Sequence, residues 1–117
     1  MTAADFQHPY SDSVTVGDVV FVSGCLPVDE AENLVTGRKE ALDAALATVG
    51  RRLAKTGLTL EAVVKLTYFV TDMGDRALAN DQFVATWREP RPARSIVQVA
   101  GLPRGASVEI DAIARRG

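Results

Sequence analysis

The chain predicts an α+β domain in the order β-β-α-β-α-β-β, with both helices on one face of a single sheet. Three observations carry this. Apolar residues recur at three and four over one long stretch in the first half. Short β-branched and aromatic runs stand before and after it. Loops bearing Gly and Pro separate these segments, with no repeat, linker or low-complexity tract among them. At 117 residues the chain is one domain, 1–117, long enough to bury a core without disulfides or a structural metal.

The elements follow in order. "SVTVGDVVFVSG" holds two strands, near 13–16 and 19–23, with Gly17-Asp18 as the turn pair of a hairpin. "LPVDEAENLVTG" is a loop leading from the sheet to the first helix, which Thr36 or Gly37 caps. From Arg38 to Thr56 the residues Ala41, Leu42, Ala45, Leu46, Val49 and Leu53 form one helical face, and Gly57 stops it as a C′ glycine does. A turn led by Thr59 enters a strand near 63–71. "GDRALANDQFVATWRE" follows, with Leu78, Phe83 and Trp87 loosely on a helix face until Pro90 and Pro92 end it. Two last strands, near 94–100 and 107–114, are joined by "GLPRGA" and read as a hairpin.

Composition narrows the function classes. Hydrophobic residues make up 47% and charged residues 24%, so disorder is excluded. Thirteen Lys and Arg against fifteen Asp and Glu leave a formal charge of -2, without the basic excess of a nucleic-acid footprint. Cys25 is the one cysteine, and with a single His the chain lacks the N and S ligands of a zinc site. Neither a signal-like N-terminus nor a membrane-length apolar run is present. The expectation is a cytoplasmic protein with no metal, nucleic-acid or membrane partner.

The last two strands raise the functional question. If the turn centres near Pro103 and Arg104, opposite residues sum to about 207, so Gln98 faces Glu109 and Arg94 faces Ile113. One side is then Ser95, Val97, Val99, Val108, Ile110, Ala112 and Ala114, suited to lie under the helices. The other is Arg94, Ile96, Gln98, Glu109, Asp111 and Ile113. This second side reads either as a solvated face or, given Ile96 and Ile113 among the charges, as a self-association surface. At ~3.3 Å per residue Arg94 and Glu109 stand roughly 13 Å apart in one chain. If they act together, they do so across a cleft between subunits.

"HPYSDSVTVGDVVFVSG", then "LPVD" and "TG", and finally "RPARSIVQVAGLPRGASVEIDAIA" resemble the RidA/YjgF family of reactive-intermediate deaminases over essentially the whole chain. The resemblance implies a chorismate-mutase-like fold with a mixed sheet, and a homotrimer with sites in its subunit clefts. It also implies cofactor-independent hydrolysis of enamines and imines such as 2-aminoacrylate to a 2-keto acid and ammonia. The family's carboxylate-binding arginine falls on Arg94 in "PARS", where a bidentate fork suits a planar carboxylate. Its acidic residue falls on Glu109, which would hold the attacking water and shuttle protons. The tyrosine of "PYS" falls on Tyr10 as a pocket wall, and the glycine of "VSG" on Gly24, whose backbone can approach a ligand closely.

The chain also departs from the family pattern. Ile96 stands where many members carry cysteine, which makes the pocket floor larger and apolar. Cys25 replaces a common glutamine and reads either as a pocket neighbour or as a buried inert thiol. His8 replaces a common glycine and is either an acid–base participant or a solvated side chain. Trp87 in "WREPRP" is either part of the cleft rim, with Arg88 and Arg91, or a core anchor of the second helix. Three functions compete with general imine hydrolysis. They are a non-catalytic trimer binding a carboxylate ligand, a deaminase devoted to one pathway's imine, and a ribonuclease, which the acidic balance opposes.

Overall fold

A computed structural model describes residues 8–117. Its regular elements are β1 (Ser13–Val16), β2 (Val19–Cys25), α1 (Arg38–Ala54), β3 (Val63–Val70), α2 (Arg76–Thr86), β4 (Ala93–Gln98) and β5 (Val108–Arg115). The strands form one mixed sheet in the order β1-β2-β5-β3-β4. Only the β3–β4 pair is parallel.

Local chemistry explains most of the boundaries. Gly17 takes φ 59 at the β1–β2 turn, a left-handed conformation that glycine adopts freely. α1 starts after Gly37 and ends in a Schellman arrangement, in which Gly57 N donates to Ala54 O and Leu58 N to Leu53 O. Ala41, Leu42, Ala45, Leu46, Val49 and Leu53 are all buried, so the helical spacing picks out the face that packs on β2 and β5. On the sheet, Val20, Val22, Leu66, Tyr68, Val70, Val108, Ile110, Ala112 and Ala114 meet that face. The small side chains of Ala112 and Ala114 let the helix approach closely.

The expected β4–β5 hairpin does not form. β4 pairs in parallel with β3 through Leu66↔Arg94 and Tyr68↔Ile96, whereas β5 inserts between β2 and β3. The assumed pairs Gln98–Glu109 and Arg94–Ile113 are therefore replaced by Val70–Gln98 and Phe69–Glu109, and by Leu66–Arg94 and Lys65–Ile113. The physical reason lies in the two connections. A parallel β3–β4 pair requires a crossover, which α2 supplies. Residues 99–107, with a single 3-10 turn at Pro103–Gly105, then carry the chain past the end of β3 instead of closing a tight hairpin. They are pinned there by Val99 N to Val70 O, 2.8 Å, and Thr71 N to Ser107 O, 3.0 Å.

This change of neighbour inverts the expected faces of β4 while leaving those of β5 intact. Arg94 and Ile96 share the helix side with Leu66 and Tyr68, and Ser95 and Val97 turn outward. The open side of the sheet carries the rows Val14–Phe21–Ile113–Lys65–Ala93, Asp111–Thr67–Ser95 and Glu109–Phe69–Val97. Val14, Phe21 and Val97 there are 54%, 45% and 41% exposed, a large apolar content for a surface in water. Among the described residues no helix is long and apolar enough to cross a membrane.

Candidate functional site

Arg94 lies on an edge strand beneath α2, with its guanidinium carbon 5.4 Å from the Tyr68 ring centroid and 5.0 Å from that of Phe83. Two aromatic faces hold a cation in this way by cation–π attraction and by excluding water. One terminal nitrogen, Nη2, donates to Asn80 Oδ1 of α2 at 2.5 Å. The other, Nη1, is the one buried side-chain nitrogen or oxygen among the described residues with no hydrogen-bond partner. Burial, with a smaller contribution from Arg76, lowers the guanidinium's proton affinity, while Tyr68 counters it. An arginine nonetheless stays charged. A buried cationic donor left unpaired is costly, and a carboxylate oxygen is the partner that suits it.

Glu109 stands on the opposite face of the sheet, on β5, where it pairs with Phe69. Burial first, then the Asp111 charge, raises its carboxyl above the ordinary value, and Arg52 partly offsets them. Its carboxyl group rests against Gly24. A β-carbon built on Gly24 would lie 2.7 Å from Glu109 Cδ and 2.8 Å from Oε1. That close approach comes from a bulge: β2 pairs Val22 with Ala112 but Cys25 with Ile110, so Ser23-Gly24 contains one residue more than the β5 strand opposite.

The remaining candidates differ in their settings. Tyr10 is 47% exposed and stacks on His8 at 4.8 Å between ring centroids. The segment following it is tied to the bulge by Ser23 Oγ to Ser11 O, 2.6 Å, and Ser23 N to Asp12 O, 3.0 Å. Cys25 is wholly buried, its thiol donating to Ser23 O at 3.3 Å, and burial pushes its pKa up to about 12, a setting that disfavours the reactive thiolate. Ile96 packs against the core beside Tyr68, two residues after Arg94 on the same face of β4. Trp87 is buried, with its indole N–H donating to Leu60 O at 2.9 Å. It serves as a core anchor and reaches Arg94 only through Phe83, whose ring centroid is 4.7 Å away.

One chain thus brings Gly24 together with Glu109, and Arg94 together with Ile96, but it does not bring Arg94 to Glu109. Two residues escaped the sequence reading. Asn80 is one, and only the contact across α2 and β4 reveals it. Arg52 is the other, and its signal was visible: a cation three residues after Val49 on a helix face that is apolar apart from Thr48. Among the described residues no three His, Cys, Asp or Glu side chains gather as metal ligands.

The bulge makes a specific prediction. Gly24→Ala should leave the melting temperature within a few degrees of the parent, because the atoms it meets are the far end of a flexible side chain. It should displace the Glu109 carboxyl and cut by about ten- to a hundredfold the imine turnover that the family resemblance implies. Thermal melts beside steady-state rates check this, and full activity in a folded Gly24→Ala protein would contradict it.

Residues 1–116 match the family described as Endoribonuclease L-PSP. The chain belongs to this family, the RidA/YjgF/RutC group. Within the group it is 37% identical over 111 residues to the 2-iminobutanoate/2-iminopropanoate deaminase of Bos taurus, covering 93% of this chain and 81% of that protein. The crystal structure of RidA from the Antarctic bacterium Psychrobacter sp. PAMC 21119 superposes with a TM-score of 0.88 at 39% identity, over 93% of this chain and 89% of that one. E. coli TdcF, solved with bound serine, superposes with a TM-score of 0.86 at 34% identity, over 96% and 91% of the two chains. The mixed five-stranded sheet with its two helices is thus the RidA-family fold.

Proposed function

We propose that this RidA-family protein hydrolyses small 2-imino acids and their enamine tautomers to 2-keto acids and ammonia. The observation that carries the reading is Arg94 Nη1, a buried guanidinium nitrogen with no hydrogen-bond partner, packed over two aromatic rings and two residues from the apolar Ile96. A substrate carboxylate would complete its hydrogen bonding. The name of the bovine relative supports the same substrate class.

The chemistry asks little of the protein. Water adds to the carbon of the protonated imine while Glu109 takes one of its protons, giving a neutral carbinolamine, and Glu109 returns that proton to the nitrogen. The carbon–nitrogen bond then breaks as the hydroxyl group passes its proton to the Glu109 carboxylate, so that ammonia leaves and the carbonyl forms. Imines undergo this in water unaided, so orientation, a held water and one proton shuttle suffice, with no cofactor required. The raised proton affinity of Glu109 suits a group that both accepts and returns a proton.

Arg94 on the edge strand β4 and Glu109 on the central strand β5 occupy opposite faces of one chain's sheet, so the reading places the site between subunits of a homotrimer. The apolar open face of the sheet supports this, since Val14, Phe21 and Val97 would be covered on assembly. Sedimentation should give three chain masses, and Phe21→Glu should shift the protein towards the monomer and abolish turnover with it. A monomeric, fully active parent would remove the intersubunit site.

To test the activity, 2-iminopropanoate is generated in situ by oxidation of alanine, and pyruvate and ammonia release are followed. Acceleration over buffer is expected. Identical rates with and without protein across several imino acids would remove the enzymatic reading. A non-catalytic carboxylate binder is the second reading, favoured by the serine bound to the TdcF relative. Calorimetric serine binding that survives Glu109→Ala, without turnover of any imine, would select it. The ribonuclease in the family's description has less support here, because a net charge of -2 and the acids Glu109 and Asp111 on the open face repel phosphates.

A further inference from the structure

Arg52 sits on the core face of α1 and is 9% exposed. A guanidinium in that position is tolerated only where its donors find partners. Nη1 donates to Ser23 O at 2.9 Å and to Gly24 O at 3.2 Å, the carbonyls of the bulge. Nε lies 3.6 Å from Asp12 Oδ1. Asp12 is anchored in turn, accepting Ser23 N through its carbonyl and pairing with Lys55 Nζ at 3.2 Å. Burial pushes the Asp12 carboxyl up, but the Lys55 hydrogen bond and the Arg52 and Lys55 charges outweigh it and keep the group ionised.

We propose that Arg52 is a positioning residue for the acid–base group: by forking onto the Ser23 and Gly24 carbonyls it fixes the bulge against which the Glu109 carboxyl rests. The proposal rests on the reading of Glu109 as that group. Arg52 works from the helix side of the sheet, and Gly24 transmits the constraint to the open side because no side chain intervenes. The groups close to Glu109 are Asp111 on its own strand, Cys25 on β2, and Arg52 from α1 with Asp12 behind it, while Lys65 on β3 lies further along the open face, opposite Ile113. Of these, Asp111 raises the Glu109 proton affinity and Arg52 lowers it. Loss of the Arg52 charge therefore moves the carboxyl further up.

The test uses the assembled full chain with two variants, Arg52→Met and Arg52→Lys. The Glu109 side-chain carboxyl is titrated by carbon NMR, the pH dependence of kcat/KM for 2-iminopropanoate is recorded, and Cys25 is challenged with a neutral disulfide. Arg52→Met is expected to raise the Glu109 midpoint by about half a pH unit or more and to carry the acidic limb of the rate profile with it. Arg52→Lys keeps the charge but loses the fork. Its midpoint should stay near the parent's while kcat falls several-fold and Cys25, no longer sealed behind the bulge, reacts faster. Parent-like kcat and Cys25 reactivity in Arg52→Lys overturn the proposal, whether or not Arg52→Met folds. An unshifted midpoint in Arg52→Met overturns it too, since the carboxyl then keeps its surroundings without the guanidinium. Faster Cys25 reaction in Arg52→Lys, where the parent turns over no imine, supports the positioning role and removes the deaminase reading instead.

Discussion

Arg94→Ala is expected to lower kcat/KM for 2-iminopropanoate by about 30- to 1,000-fold, the equivalent of about 2–4 kcal/mol for a buried charge pair that loses one partner. The guanidinium is already oriented, packed over the Tyr68 and Phe83 rings with Nη2 on Asn80, so the substrate carboxylate meets a preset donor. Arg94→Lys should recover only part of the loss, because an ammonium cannot reproduce the fork or the stacking. An imine lacking a carboxylate is the control, and on it parent and Arg94→Ala should differ little. Equal losses on both substrates would mean that Arg94 supports the fold around Tyr68 and Phe83 instead of binding the acid.

Glu109→Gln should lower kcat by about a hundredfold, the usual scale of a lost acid–base group, with KM changed far less. The pH dependence gives it a second signature. Glu109 has a proton affinity raised by burial and by Asp111, so its folded pKa lies above its unfolded value. Such a group favours the folded state fully below the unfolded pKa, and that contribution is lost as pH rises through the folded pKa. Glutamine does not titrate. The melting temperature of Glu109→Gln minus that of the parent should therefore increase from about pH 4 to about pH 7. A difference that shrinks over this range would show that the carboxylate is stabilised in the folded protein, against the site described.

The sequence carried the helix and the turns well, for a local reason. A 3.6-residue period marks one stripe on a cylinder, and all six apolar positions of α1 chosen by spacing are buried. Gly17 and Gly57 mark turns because the backbone they enable is local as well. Arg94, Glu109, Tyr10 and Gly24 came from motif resemblance, and the contact between Gly24 and Glu109 gives two of them a shared physical setting.

Period two in a strand is weaker information. It separates two faces without saying which is inside, and it does not name the neighbouring strand. For β5 the answer was legible, because Val108, Ile110, Ala112 and Ala114 are apolar against Glu109 and Asp111. For β4 it was not. Val97 and Val99 suggested the wrong inner face, and only the crossover through α2 put Arg94 and Ile96 under the helices by pairing β4 with β3. The bulge at Ser23-Gly24 adds one unpaired residue, which no alternation pattern anticipates, and Arg52 finds its carbonyl partners 28 and 29 residues back along the chain. What the amino acids determined by themselves was the order of elements, the inner faces of α1 and β5, and which residues carry the candidate chemistry. Strand neighbours, the direction in which Arg94 points, and the seating of Glu109 on Gly24 were decided by tertiary structure, because each depends on contacts between segments far apart in the chain.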